Sequence, residues 1–165
     1  MKSIILNSQQ INDKIKRIAF QIIEHNFEEK SIVMLGISGQ GFELAKRLKS
    51  ILTTESDIEV LLEELIVDKK NPYNSEVELS LENKELENKS ILLIDDVLNS
   101  GKTMMFGLNR VLNIPVKRIA SVVLVNRAHK RFPIEADFVG TSLATTLQDH
   151  IHVSLNANEE IAYLE

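Results

Sequence analysis

Cysteine is absent from this chain, which excludes a disulfide framework, thiolate-bound zinc and any cysteine nucleophile. No apolar run reaches bilayer-spanning length, and the amino terminus MKSIILNSQQ has neither a full apolar region nor a small-residue cleavage site. A cytoplasmic protein without a membrane partner is the expectation. Positive charge is also scarce: 19 Lys and Arg stand against 24 Asp and Glu, for a formal net charge of −5. Phosphate contacts need concentrated cations, so general nucleic-acid binding is disfavoured and would require a local basic patch. Internal repeats and low-complexity tracts are missing too. What remains is the composition of an ordinary globular domain, 44% hydrophobic and 26% charged over 165 residues, sufficient to bury one sizeable core. A single domain over residues 1–165 is expected.

Helical and strand patterns alternate along the chain. SQQINDKIKRIAFQIIEHN places Ile11, Ile15, Ile18, Ala19, Ile22 and Ile23 on one helical face, with Ser8 as the N-cap. SIVMLGIS reads as a buried strand, GFELAKRLKSIL as a helix with Leu44, Ala45, Leu48 and Leu52 inward, and IEVLLEELIV as a second strand. Residues 68–89, DKKNPYNSEVELSLENKELENK, form a long polar segment with a turn at Asn71-Pro72. Connections of that length are usually functional or disordered. ILLIDDV, the helix MMFGLNRVL, and the strands IASVVLVN, ADFVG and HIHVSL complete the series. The pattern predicts an α/β fold, a mostly parallel sheet flanked by helices, with any ligand outside the carboxyl ends of the strands.

One of those ends carries paired acids. In ILLIDDVLNSGKT, Ile91–Thr103, the apolar run reads as a strand covered on both faces, and Asp95 and Asp96 close it. NSGKT then supplies hydroxyls, a glycine and a lysine just before a helical pattern begins at Met104, so unpaired N–H groups should point outward as an anion site. Adjacent strand residues face opposite sides, which sends one acid toward the crevice and leaves the other free to bond backbone donors. Buried carboxylates need partners, so a purely structural pair is disfavoured. Acids beside an anion site suit a ligand that has both phosphate and groups wanting acceptors. GKT is not a P-loop, because the position of the earlier glycine holds Asp96. SGQG, Ser38–Gly41, falls at the same sheet edge; its spacing is not G-x-G-x-x-G, and a tight strand-to-helix turn explains Gly39 and Gly41 equally well.

ILLIDDVLNSGKT resembles the motif for 5-phosphoribosyl-1-pyrophosphate in type I phosphoribosyltransferases: apolar strand, two acids, two variable residues, then a hydroxyl-glycine-x-hydroxyl cradle. The resemblance implies that family's fold, with a small hood and Mg2+ as cofactor. Asp95 and Asp96 would take the ribose hydroxyls and meet the metal indirectly through the ribose. Asn99, Ser100, Gly101, Lys102 and Thr103 would hold the 5′-phosphate. Ser38, Gly39, Gln40 and Gly41 match the pyrophosphate loop in position, and residues 68–89 match the mobile hood that closes over the reacting centre. Lys69, Lys70 and Tyr73 are the hood candidates, and both lysines join the acid pair as catalytic candidates.

A second stretch, VLVNRAHKRFPIEADFVG, resembles the segment after that motif in bifunctional pyrimidine-operon attenuation proteins with uracil phosphoribosyltransferase activity. Arg127, His129, Pro133, Ile134 and Ala136 to Gly140 stand at matching spacings, and RIAFQIIEHN extends the likeness to the first helix. It implies a base pocket with Arg127, Phe138 stacked near the base and Val139 offering backbone groups to its edge. Residue type alone makes Phe138 equally a core aromatic. The implied reaction displaces pyrophosphate from ribose C1 by a pyrimidine-like base, uracil favoured, in a homo-oligomer, dimer or higher. The rival is a non-catalytic regulator that senses phosphoribosyl pyrophosphate or a nucleotide in the same pocket and signals to RNA or a protein partner.

The departures are informative. SGQG lacks the basic residue that those relatives carry, so stabilising the leaving group falls to magnesium, backbone N–H groups or the hood lysines. Asn99 stands where purine-type members often have an aspartate, and an amide cannot take a proton from a ring. Phe20, Glu135 and Thr141 replace RNA-contacting residues, with only Lys130 still basic, so RNA binding is not expected. His25 ends a helix and offsets its dipole. His150 and His152 form one polar strand face, with no third ligand at a convincing spacing for a metal, and His129 is not assigned to catalysis.

Overall fold

The computed structural model describes residues 2–146 and 149–165. Its centre is an all-parallel sheet of β2 (Ser31–Ile37), β3 (Glu59–Leu65), β4 (Ser90–Leu98), β5 (Arg118–Arg127) and β6 (Phe138–Leu143), in the order β3-β2-β4-β5-β6. β4 lies in the middle and is covered on both faces. Because successive side chains alternate, Leu92 and Ile94 enter one core with α1 (Ser8–His25) and α2 (Gln40–Glu55), while Ile91 and Leu93 enter the other with α4 (Lys102–Leu112). The unbroken apolar run before the acids is the sequence signature of that double coverage. The α/β expectation therefore holds, and β4 and α4 deliver the acid pair and the following loop to the carboxyl edge of the sheet.

Beside it stands a small antiparallel sheet, order β1-β8-β7, of β1 (Ser3–Leu6), β7 (Ile151–Asn156) and β8 (Glu159–Leu164). β1 and β8 are absent from the sequence reading. Each is short, and β1 exists because its partner lies at the opposite end of the chain. The N-cap of α1 also moves by one residue: Asn7 Oδ1 accepts from the Gln10 N–H at 2.9 Å while Gln10 Oε1 accepts from the Asn7 N–H at 3.0 Å. Asn7 and Gln10 together form a capping box that Ser8 could not complete.

Residues 68–89 are not one open loop. Ile66 and Glu78 exchange backbone hydrogen bonds of 3.0 Å, Val77, Leu79 and Leu81 pack on the second core, and α3 (Asn83–Leu86) buries Leu86 fully. The apolar residues alternate inside an acidic stretch, a strand-like stripe that overall polarity conceals. Only the strap from Asp68 to Glu76 is left to reach the crevice.

Candidate active site

Asp95 and Asp96 leave β4 with different surroundings. Asp95 is 3% exposed, and its Oδ1 accepts from the Asp96 N–H at 3.0 Å. Lys69, on the strap, places its Nζ 3.1 Å from Asp95 Oδ1 and 3.8 Å from Asp96 Oδ1. Burial, reinforced by the neighbouring Asp96 carboxylate, pushes the Asp95 carboxyl well above the usual carboxylate range against the pull of Lys69. Burial would lower the Lys69 ammonium, but the acids outweigh it and hold its pKa above the ordinary lysine value. The cost of enclosing the cluster thus falls on Asp95, and the lysine stays charged. These three side chains line a crevice of about 160 Å3 together with Asn99 to Met104 and Ile151 of the small sheet.

The loop after β4 becomes a cradle through one backbone reversal. Gly101 has φ 85°, the left-handed region open to glycine, and caps α4. The first-turn N–H groups of Thr103 and Met104 have no acceptor among the described residues, and both residues line the crevice. Ser100 Oγ accepts from the Lys102 N–H at 3.3 Å. Behind the loop, the Arg131 and Phe132 N–H groups donate to the Ser100 carbonyl at 2.9 and 3.0 Å. A Cβ on Gly101 would fall 2.7 Å from Ile134 Cγ2. The segment 131–134 is thus the rear wall of the cradle, a role that no spacing in the sequence indicated.

A family model described as the phosphoribosyl transferase domain matches residues 1–160. The chain belongs to that family. Bifunctional protein PyrR of Haemophilus ducreyi is 34% identical over 163 residues, covering 93% of this chain and 89% of that protein. Bifunctional protein PyrR of Pediococcus pentosaceus is 30% identical over 176 residues, covering 100% and 99%. Among solved structures, a hypoxanthine-guanine phosphoribosyltransferase of Bacillus anthracis superposes with a TM-score of 0.75 at 18% identity, over 97% of this chain and 95% of its own. The hypoxanthine phosphoribosyltransferase of Trypanosoma cruzi gives 0.79 at 16% identity, over 98% and 95%. At those identities the structural likeness is one of fold, and that fold is the type I phosphoribosyltransferase fold with its small hood.

Ser38 to Gly41, which resemble the family's pyrophosphate loop in position, lie behind Asp95 and do not line the crevice. Gly39 has φ 89° at the turn into α2. The Ser38 N–H donates to the Leu65 carbonyl at 2.9 Å, its Oγ accepts from the Val67 N–H at 3.3 Å, and Gln40 Oε1 accepts from the Leu155 N–H at 2.8 Å. Ser38 therefore ties the chain leaving β3, just before the strap, to the end of β2, and Gln40 ties the small sheet to the start of α2. Gly41 gives α2 its close approach to β4: an added Cβ would stand 2.7 Å from Asp95 Oδ1 and 3.0 Å from the Asp95 Cα. Gly41→Ala should destabilise the protein by about 1–3 kcal/mol, because one contact is with backbone. The melting temperature should drop by roughly 3–10 °C and ligand affinity should fall with the displaced carboxylate. An unchanged melting temperature would show that this contact relaxes freely.

The residues expected around a base are less well gathered. Phe138 is 8% exposed, belongs to the α1-side core and meets His25 edge-on with ring centroids 5.5 Å apart. Phe138 packs in that core and is not among the residues lining the crevice. The Val139 carbonyl accepts from Arg17 at 3.1 Å and the Gly140 carbonyl at 2.6 Å, because β6 is an edge strand whose carbonyls α1 covers. Arg127 bonds Thr145 Oγ1 and the Thr146 carbonyl, both at 2.6 Å, and braces the chain after β6. Of the two hood lysines only Lys69 lines the crevice. Lys70 is exposed, with its N–H on Asp68. A residue missed from sequence is Asn126, in register with Leu98 and Ser142 at the carboxyl edge, whose buried Oδ1 has no donor among the described residues. Phe20 and Glu135 are exposed and Thr141 half-buried, as surface replacements would be. His152 stacks on Tyr163 at 5.1 Å, and no cluster of three or more metal-ligating side chains occurs among the described residues.

Magnesium fits this crevice. The acid pair already gathers a cation, the Lys69 ammonium, at distances of 3.1 and 3.8 Å, and carboxylate oxygens are the donor type that magnesium prefers.

Proposed function

We propose that this phosphoribosyltransferase transfers ribose 5-phosphate from phosphoribosyl pyrophosphate to a pyrimidine-like base, uracil favoured, and releases pyrophosphate. The observation that carries the reading is a hood lysine lying on the buried Asp95 and the half-buried Asp96 beside an open helix N-terminus. Asp95 and Asp96 accept from the ribose hydroxyls, and the Thr103 and Met104 N–H groups, with the Ser100 and Thr103 hydroxyls, hold the 5′-phosphate. The sugar is thereby fixed at both ends, so the bond at C1 lengthens toward an oxocarbenium-like transition state in a set position. No nucleophilic side chain is needed. Lys69 is near enough to steady the charge that develops on the leaving pyrophosphate, in place of the cation that SGQG lacks. Magnesium, gathered by Asp95 and Asp96 through the ribose, would neutralise part of that same charge.

Two features favour a pyrimidine: the PyrR relatives at 30–34% identity and Asn99, which cannot draw a proton from a purine ring. The test is pyrophosphate release with uracil, hypoxanthine, guanine and adenine in parallel at saturating Mg2+. Uracil should turn over slowly and every purine at least about tenfold more slowly still. Turnover of a purine with none of uracil would reverse the base assignment. Tight phosphoribosyl pyrophosphate binding with no turnover of any base would instead make the protein a sensor of that ligand.

A further inference from the structure

The strap meets the site at two places, and at each it takes up a group that the ligand needs. At the first, Lys69 Nζ stands 3.1 Å from Asp95 Oδ1 and 3.8 Å from Asp96 Oδ1, inside the crevice where the ribose hydroxyls belong. At the second, the Tyr73 ring lies 4.5 Å beneath the Lys102 ammonium and edge-on to Phe106, centroids 5.2 Å apart. Lys102 belongs to the phosphate cradle. The strap between these contacts is lightly held: Lys69 is 41% exposed at its side chain and Tyr73 is 70% exposed.

Two adjacent carboxylates, one of them buried, call for a cation at contact distance. In the free protein that cation is Lys69. A ligand brings its ribose hydroxyls to the same carboxylate oxygens, with its metal just beyond them, and Lys69 Nζ cannot stay 3.1 Å from an oxygen that a ribose hydroxyl has taken. Resting on the phosphoribosyl pyrophosphate reading, we propose that Lys69 is the resident cation of the ribose site, evicted when the ligand and its magnesium arrive and thereby freed, with the strap from Asp68 to Glu76, to move onto the pyrophosphate. One lysine then does two jobs in succession. It keeps the empty acid pair neutralised, and its release couples ligand arrival to closure. The exchange lowers the affinity for the ribose 5-phosphate part of the ligand, since the Lys69 contacts must be broken first, and the pyrophosphate part returns a contact to the same lysine.

Calorimetric titration with ribose 5-phosphate and with phosphoribosyl pyrophosphate, each with Mg2+, on the parent, Lys69→Met and Lys69→Arg tests this, together with thermal melts in Mg2+ alone. Lys69→Met removes the charge and keeps most of the stem, and the exposed side chain makes it a mild change to the fold. It should bind ribose 5-phosphate with Mg2+, which offers Lys69 no pyrophosphate to move onto, about three- to tenfold more tightly than the parent, the size of a lost charge-assisted contact after water exchange, yet release pyrophosphate from phosphoribosyl pyrophosphate more slowly. Mg2+ alone should raise its melting temperature more than the parent's. Lys69→Arg keeps the resident cation and should bind as the parent does. Weaker or unchanged binding of ribose 5-phosphate by Lys69→Met overturns the exchange while leaving the phosphoribosyl pyrophosphate site in place. Failure of the parent to bind the ligand at all overturns the site itself and the exchange with it.

Discussion

Asp96→Asn is expected to lower kcat/KM for phosphoribosyl pyrophosphate by about 10²–10³-fold, the usual cost of removing a charge-stabilising group from the reacting centre. Asp95→Asn should fall in the same range or somewhat below it. An amide is a weaker acceptor for two ribose hydroxyls than a carboxylate, and it gathers no cation. Steady-state kinetics on both variants, with melting curves, checks this, and parent-like kcat/KM in both would remove the ribose site from the crevice. Stability should move differently. The Asp95 carboxyl titrates well above the usual carboxylate range because it is buried beside Asp96. Between its unfolded and folded pKa values the native state therefore holds the proton more tightly than the unfolded chain, and stability falls as pH rises through that window. The contribution is fully present below the unfolded value and gone above the folded one. Asp95→Asn should flatten that part of the curve and melt no lower than the parent at neutral pH. Function here is retained at some expense of stability, as is common where a site needs a buried charge.

Gly101→Ala should be nearly as damaging for a different reason. The left-handed backbone at φ 85° disfavours any side chain by about 1–2 kcal/mol, and the new methyl would also press on Ile134 at 2.7 Å and the Phe132 carbonyl at 3.3 Å. The cradle must then open or turn, and the Thr103 and Met104 N–H groups lose their common aim. Affinity for phosphoribosyl pyrophosphate should fall by about 10²-fold, a loss of the size of one or two charge-assisted hydrogen bonds, and the melting temperature should drop by roughly 3–10 °C, as in Gly41→Ala. Gly39→Ala is the comparison: Gly39 also has positive φ, but nothing lies within 4 Å of its added Cβ, and it stands outside the crevice. It should cost stability without the same loss of phosphate binding. Calorimetric titration of the two variants separates crowding at the cradle from backbone strain alone.

Asp95, Asp96 and the cradle were legible because they are contiguous. In ILLIDDVLNSGKT the strand, the acids and the helix start follow one another, so backbone geometry over a few residues brings them together. The parallel sheet was legible from its apolar runs for the same local reason. Phe138 was not, since its residue type suits a core and a base pocket equally, and the choice depends on α1 crossing β6. Nor was the anchored half of residues 68–89, because Val77, Leu79 and Leu81 become a stripe only when a core is present to receive them.

The sequence by itself determined the family, the αβ alternation, the acid pair at the end of β4 and the glycine turn into α4 that follows it. Tertiary structure alone decided that Lys69 rather than Lys70 reaches the acids, that Gly41 leaves α2 room against Asp95, that Ile134 walls the cradle behind Gly101, and that both ends of the chain meet in the small sheet. The difference is physical. Local motifs are set by steric and hydrogen-bonding preferences within a turn or a strand, whereas these contacts join residues far apart in the chain, and packing of the whole core selects which of many chemically equivalent partners meet.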